Sequence, residues 1–247
     1  MGRILCVANQ KGGVGKTTTA VNLAVALAKT GAQTLLVDLD PQCNATTGLG
    51  KKPSENHPLV SGIPIRQGVS CSDAPRLDLL AGSRSFRDVE ILTSSDPQQA
   101  DRLREDLIRG FSSYDFVLID CPPSLGQLTT TALASSHDVL MPIQCEYFAM
   151  EGLAQMIEVI RRVIDQKNHQ LQFGGIVLTM YDDSLELTHE VDREVREFFG
   201  EIVYQTVIPR DVAVSEAPSH GLSVIDYAPR ARGTRAYVEL CMEVLET

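Results

Sequence analysis

The sequence predicts an α/β fold of the doubly wound kind, a mainly parallel sheet with helices on both faces. Three observations predict it. Short, continuously apolar runs recur along the chain, the pattern of strands buried on both sides. Stretches of helical periodicity separate them, which implies right-handed β-α-β crossovers. The first apolar run also leads through a glycine-rich turn into a helix, the arrangement in which backbone amides can hold phosphate.

Taken in order, "RILCVAN" (3–9) is the first strand, and a helix over 16–30 follows the glycine turn. "QTLLVDLD" (33–40) is the second strand. Residues 50–76 hold four prolines and little periodicity, so an irregular surface excursion is expected there. "LDLLAG" (77–82) resumes the strands, and helices over 97–111 and 125–136 flank the strand "DFVLID" (115–120). "DVLMPI" (138–143), a helix over 148–168, "FGGIVLTM" (173–180), a helix over 186–199, "EIVYQTVIP" (201–209) and a helix over 233–245 complete the pattern. No internal repeat, heptad or linker interrupts it, so one domain over 1–247 is expected.

Composition narrows the function classes. Of 247 residues, 43% are hydrophobic, 5% are aromatic and none is Trp, which suits a core of Ala, Val, Leu and Ile. Lys and Arg number 22 against 32 Asp and Glu, a net charge of −10. That balance argues against wholesale charge-driven nucleic-acid binding, while leaving room for a local basic patch. Six scattered cysteines with no C-x-x-C pair, and no signal-peptide pattern, read as reduced thiols of a cytoplasmic protein. No apolar run approaches the roughly 18–20 residues of a membrane helix. The five histidines show no ligand spacing.

The chemistry concentrates in "VANQKGGVGKTTTAVNLA" (7–24). Gly15, Lys16 and Thr17 fill the last three slots of the phosphate-loop pattern G-x-x-x-x-G-K-[ST], but Gln10 stands where its first glycine belongs, and Lys11 follows. Gly12, Gly13 and Gly15 let backbone N–H groups turn inward, with Val14 and Thr18 completing the cradle. Lys16 is placed to reach β- and γ-phosphates, and the Thr17 hydroxyl to ligate Mg²⁺. Lys11 cannot share the position of Lys16, because two ammonium groups repel. Projecting outward instead, it can reach a nucleotide held by a second copy of the chain, where a cation supplied in trans is worth about 10³–10⁵ in rate.

"KGGVGKTT" resembles the deviant Walker A motif of the ParA/MinD superfamily, whose signature lysine is Lys11 here. "LLVDLDPQCNATTGLG" (35–50) is similar to switch I of the ParA/Soj partition ATPases, and "YDFVLIDCPPSLGQLTTTAL" (114–133) to their Walker B and switch II. "PIQCEYFAMEGL" (142–153), "LTMYD" (178–182) and "IPRDVAVSEAPSHG" (208–221) are also Soj-like. The resemblance implies a slow ATPase acting in chromosome or plasmid partitioning. It would dimerise on ATP and Mg²⁺, bind DNA nonspecifically as the dimer, and answer to a ParB-like activator, on the nucleoid if it binds DNA. It gives Lys11, Lys16 and Asp40 catalytic roles, with Asp40 positioning the attacking water near Mg²⁺. Asp120 becomes the Walker B aspartate, contacting Mg²⁺ through water. Asp38 orients the switch or phosphate loop, with a simple strand-end cap as an equal alternative. Pro122 and Pro123 stiffen the loop after Asp120 and Gly126 frees its far end, which fits a switch that senses the γ-phosphate; the resemblance puts Met180, Pro209 and Arg210 near adenine.

Two relatives offer other readings. The nitrogenase iron protein bridges a cluster with cysteines, but Cys121 and Cys145 sit in Soj-like contexts and read as buried and inert. MinD ends in a basic amphipathic helix, whereas "AYVELCMEVLET" carries Glu239, Glu243 and Glu246 and no cation after Arg235, so it reads as a docking helix rather than a membrane anchor. The chain also departs from the DNA-binding pattern. "DSLELTHEV" (183–191) has no cation, and Ala213 stands where relatives carry an arginine, with Asp211 nearby. From Arg210 onward only "APRARGTRA" (228–236), with Arg230, Arg232 and Arg235, forms a basic patch. A solvated turn and a weak DNA contact are equal readings of it, and a cargo-positioning ATPase with little DNA binding is the alternative function.

Overall fold

A computed structural model describes residues 2–86, 104–105, 107–111, 113–147 and 149–246. Its strands are β1 (Arg3–Val7), β2 (Thr34–Asp38), β3 (Val69–Cys71), β4 (Leu77–Leu80), β5 (Phe116–Asp120), β6 (Asp138–Gln144), β7 (Gln172–Tyr181) and β8 (Val203–Pro209). They form one sheet in the order β3-β4-β2-β5-β1-β6-β7-β8. Every neighbouring pair is parallel except β3–β4. The chain first winds from β1 toward β2 and later passes β1 toward β6, so the strand order reverses beside β1. Ligand crevices form at the carboxyl ends of strands at such a reversal.

The continuous apolar runs are explained by two-sided burial. All five residues of β2 are buried. On one face Ile4, Cys6, Leu35, Val37, Val117 and Ile119 meet helix residues such as Leu128, Leu153, Ile160 and Val195. These come from α4 (Gln127–Ala134), α5 (Ala149–Gln166) and α6 (Glu186–Phe199). On the other face Leu5, Val7, Leu36 and Leu118 meet α1 (Lys16–Lys29) and α9 (Arg232–Glu246). As expected of a docking helix, α9 buries Ala236, Tyr237, Leu240, Cys241 and Val244. Among the described residues no helix is long and apolar enough to cross a membrane.

The differences from the sequence reading are local. The excursion 50–76 contains a short helix α3 (Pro58–Ser61), capped by His57 Nδ1 accepting from the Leu59 N–H at 3.1 Å, and the edge strand β3. Three more short helices lie where the sequence shows no helical periodicity: α2 (Asn44–Gly48), α7 (Val212–Glu216) and α8 (Val224–Tyr227). The last two are set by side-chain caps, Asp211 accepting from the Ala213 N–H and Ser223 from the Asp226 N–H. The last strand starts at Val203, not 201, because Gly200–Ile202 turn in a 3₁₀ helix. Of the helix expected over 97–111, residues 104–105 and 107–110 are helical and 97–103 lie outside the described residues.

Candidate functional site

The glycine turn forms a cradle at the carboxyl end of β1. Gly13 and Gly15 have φ of +78° and +86°, a region that favours glycine. Gly15 caps α1 with no side-chain acceptor, which leaves the first amides of the helix for a ligand. Contacts from distant strands fix the loop. Asn9 donates to the Pro142 carbonyl at 2.8 Å and accepts from the Lys11 N–H at 3.0 Å. The Thr179 hydroxyl donates to the Val14 carbonyl at 2.9 Å. Lys16 is buried and folds back so that Nζ donates to the Lys11 carbonyl at 2.8 Å. Burial lowers its pKa, while Asp120 and Asp40 oppose that shift.

A cleft of about 250 Å³ opens over this cradle, where Gly12, Gly13, Gly15, Lys16, Thr17 and Thr18 meet Asp40, Pro123 and Met180. A second cleft of about 220 Å³ shares Gly15, Thr18 and Met180 and runs on to Pro209, Arg210, Asp211 and Val214. The residues expected at phosphates and at adenine thus line two joined clefts. Larger hollows of about 420 and 480 Å³ lie elsewhere, one beside Arg3 and Glu243, the other between α5 and α6. Neither touches the glycine turn, so size alone does not mark the site. Met180, at the junction, is held at φ +51°, an unusual conformation for a non-glycine residue.

Three carboxylates border the cradle and differ in what they touch. Asp38 and Asp120 are register partners on β2 and β5. Asp38 accepts from the Thr46 N–H (2.9 Å), the Thr46 hydroxyl (2.6 Å) and the Asp40 N–H (3.2 Å). Burial still pushes its pKa up to about 6. Gly82 packs so closely that a Cβ there would lie 2.8 Å from Asp38 Cγ. These bonds tie Asp38 to the segment that follows β2. Asp40, 5% exposed, accepts from the Gln42 N–H at 2.8 Å and borders the cleft.

Asp120 is wholly buried, yet among the described residues neither of its oxygens has a hydrogen-bond partner of good geometry. Burial and then Asp38 drive its pKa well up; the neighbouring Thr17 hydroxyl and Lys16 pull the other way. An orphaned buried carboxylate beside a hydroxyl is a donor set of hard oxygens, which Mg²⁺ and its waters fit. No cluster of three or more His, Cys, Asp or Glu suited to a metal occurs among the described residues.

Lys11 does not line the cleft. Its Nζ instead pairs with Glu146 Oε2 at 2.5 Å, both side chains being partly exposed. After Asp120 the chain turns through buried Pro122 and exposed Pro123, which packs 4.0 Å from where a Gly12 Cβ would sit. Gly126 has φ −75°, open to any residue, so the freedom expected of it is not used in this conformation.

A family model described as an AAA domain matches residues 2–173. The chain is 44% identical over 250 residues to the chromosome partitioning protein ParA of Caulobacter vibrioides, covering 98% of this chain and 94% of that one. It is 43% identical over 249 residues to the sporulation initiation inhibitor protein Soj of Bacillus subtilis, covering 99% and 98%. The chain belongs to the ParA/Soj family. A solved structure of cobyrinic acid a,c-diamide synthase from Mycobacterium smegmatis, with bound ADP and magnesium, matches with a TM-score of 0.85 at 32% identity, over 100% of this chain and 95% of that one.

Against that family background, the arginine patch is open but diluted. Arg230, Arg232 and Arg235 are all exposed. Arg232 donates to the Arg210 carbonyl at 3.3 Å, and Asp182, whose ionised form is favoured first by bonds from the Ser184 hydroxyl and N–H, is favoured further by the charges of Arg210 and Arg232. Cys121 and Cys145 are buried, as the sequence suggested. Sequence reasoning assigned no role to Asn9, Thr46 and Thr179, although each lies within a stretch it singled out; they hold the loops through bonds to distant residues. The polar Asn9 at the end of an apolar run was the one available signal.

Proposed function

We propose that this ParA/Soj chain is an ATP-dependent switch ATPase that dimerises on ATP and Mg²⁺, is reset by slow hydrolysis, and positions DNA or another cargo in partitioning. One observation carries the reading. The second loop cation, Lys11, stands outside its own cleft on an ion pair with Glu146. A cation so placed is available to a nucleotide presented by a partner copy.

The roles follow from placement. Amides of Gly12–Thr18 and the Lys16 ammonium bind β- and γ-phosphates, and Met180, Pro209 and Arg210 flank the base. The Thr17 hydroxyl, and Asp120 through water, would hold Mg²⁺. When bound, that ion would supply positive charge to offset the negative charge of the phosphates. Asp40 orients the attacking water, and the partner's Lys11 neutralises charge as the γ-phosphoryl departs. Pro122–Gly126, packed on Gly12, transmits the γ-phosphate state to a ParB-like activator. The magnesium and ADP of the synthase structure support this choice of ligands.

The test is sedimentation with ATP-γ-S. Lys11→Ala is expected to bind nucleotide but remain monomeric, whereas Lys16→Ala loses nucleotide binding. A normal Lys11→Ala dimer with normal turnover would end the reading. Ala213 and the cation-free 183–191 run favour weak, salt-sensitive DNA binding through Arg230, Arg232 and Arg235. By the slope of about −0.9 per phosphate contact, replacing all three with alanine should flatten the salt dependence of ATP-dependent binding. No binding by the unaltered chain at low salt would favour a cargo other than DNA.

A further inference from the structure

We propose that Cys6 and Cys121 form a reversible disulfide that pins the loop after Asp120 to β1. The two thiols meet across the β1–β5 seam. Register sets Cys6 opposite Ile119 and Val7 opposite Asp120, so Cys121, one residue beyond the ladder, lies diagonal to Cys6. Both side chains enter the same apolar layer and are wholly buried. Both are free thiols, with Sγ atoms 3.2 Å apart. A disulfide needs about 2.05 Å between sulfurs, so closure takes roughly 1 Å of travel.

A metal suits the pair less well. Thiolates on tetrahedral zinc, at about 2.3 Å from the ion, stand farther apart than these sulfurs and require further ligands. Among the described residues no third His, Cys, Asp or Glu joins them.

The reaction needs a two-electron thiol oxidant of the disulfide or diazene class. One cysteine sulfur bonds to the oxidant, and the second displaces it from that adduct. The S–S bond forms, two S–H bonds break, and the oxidant leaves carrying both protons and both electrons. Access runs through the loop above Cys121, whose Pro123 and Ser124 are exposed, so oxidation waits on opening of that loop.

The Cys121 N–H already bonds the Val7 carbonyl at 3.2 Å. A second tether through sulfur fixes the first residue of the loop at both its backbone and its side chain, directly beside Asp120. The bond itself rests on geometry alone. Its effect on turnover rests on the proposed switch role of Pro122–Gly126.

The experiment uses the full chain carrying Cys71→Ser, which removes an exposed thiol. Treatment with diamide, proteolysis and mass spectrometry should yield a peptide pair joined through Cys6 and Cys121 and lighter by two hydrogens. Nucleotide binding should persist, ATPase turnover should fall at least tenfold, and dithiothreitol should restore it. Adding Cys6→Ala, or Cys6→Ser should the alanine chain not fold, should abolish both the joined peptide and the inhibition. Absence of the joined peptide under exhaustive oxidation would overturn the proposal. Inhibition that persists without Cys6 would overturn it too. A joined peptide with unchanged turnover would overturn the pinning and point to a different switch.

Discussion

The ends of β2 and β5 lie side by side, and each finishes in a buried aspartate. The two acids are treated in opposite ways. Asp38 has three donors arranged around it, two of them from Thr46, and the Thr46 hydroxyl also accepts from the Gly82 N–H at 2.8 Å. Asp120 has comparable burial and no well-formed partner. A carboxylate with its lone pairs engaged by backbone and hydroxyl donors is a structural tie. One kept in the same apolar surroundings with its oxygens unengaged is destabilising on its own, and such a group persists where a ligand completes it. The difference separates two residues that the sequence presents alike, each closing an apolar run.

Replacing each acid tests that contrast. Asp120→Asn removes a buried carboxylate whose oxygens have no hydrogen-bond partner of good geometry among the described residues. Its Mg²⁺-dependent ATPase turnover should fall by about 10²–10³, the usual cost of losing one preorganised electrostatic group. Its thermal or urea midpoint should hold or rise, because the desolvation cost of a buried carboxylate is gone. A drop in stability with little loss of turnover would reverse the assignment. Asp38→Ala should do the opposite, stranding the donors of Thr46 and Asp40. A loss of about 2–3 kcal/mol in urea unfolding is expected from leaving buried donors unmade.

The pH dependence sharpens the same point. With the folded pKa of Asp38 raised to about 6, the native chain binds more protons than the unfolded chain between about pH 4 and pH 6. Stability from this group is therefore present below that window and is lost as pH rises through it. Asp38→Ala should flatten that part of the stability profile. A profile unchanged by the substitution would show that Asp38 is not the titrating group. The smallest effect is expected from Thr46→Val, which keeps the shape and removes only the hydroxyl. A loss of about 1 kcal/mol is expected, with turnover per folded molecule little changed.

Much of the fold was legible because burial on both faces writes itself into sequence as uninterrupted apolar runs, as in "TLLVD" and "FVLID". The cradle was legible because glycine readily adopts the φ of Gly13 and Gly15, and because Lys-Thr follows them. What stayed hidden depends on contacts between distant residues. Nothing near Asn9 tells of Pro142, and nothing near Val14 tells of Thr179, yet those bonds shape the loop. Asp38 stayed ambiguous because its partner Thr46 lies across a turn that has no periodic signature. The short helices α7 and α8 escaped for a related reason: a single capping side chain starts each, and one residue leaves no pattern. Cys121 read as inert core and Cys6 as one of six scattered thiols because their meeting depends on strand register, which single-sequence patterning does not give.

The central claim is that Lys11 serves the partner's nucleotide rather than its own. Mixing two inactive chains tests it most directly. Lys11→Ala supplies a site with Asp40 intact, and Asp40→Ala supplies an intact Lys11. If the lysine acts in trans, each mixed dimer holds one complete site: the cradle and Asp40 of the first chain with the Lys11 of the second. ATPase turnover of an equimolar mixture should then rise above that of either chain alone, the Asp40→Ala chain supplying the one Lys11 that holds each mixed pair, with about a quarter of the unaltered rate as the ceiling that fully random pairing would set. Each chain alone should remain inactive. If the mixture stays as inactive as its components while mixed dimers are seen to form, Lys11 works within its own chain, and its assignment to the partner's nucleotide is wrong.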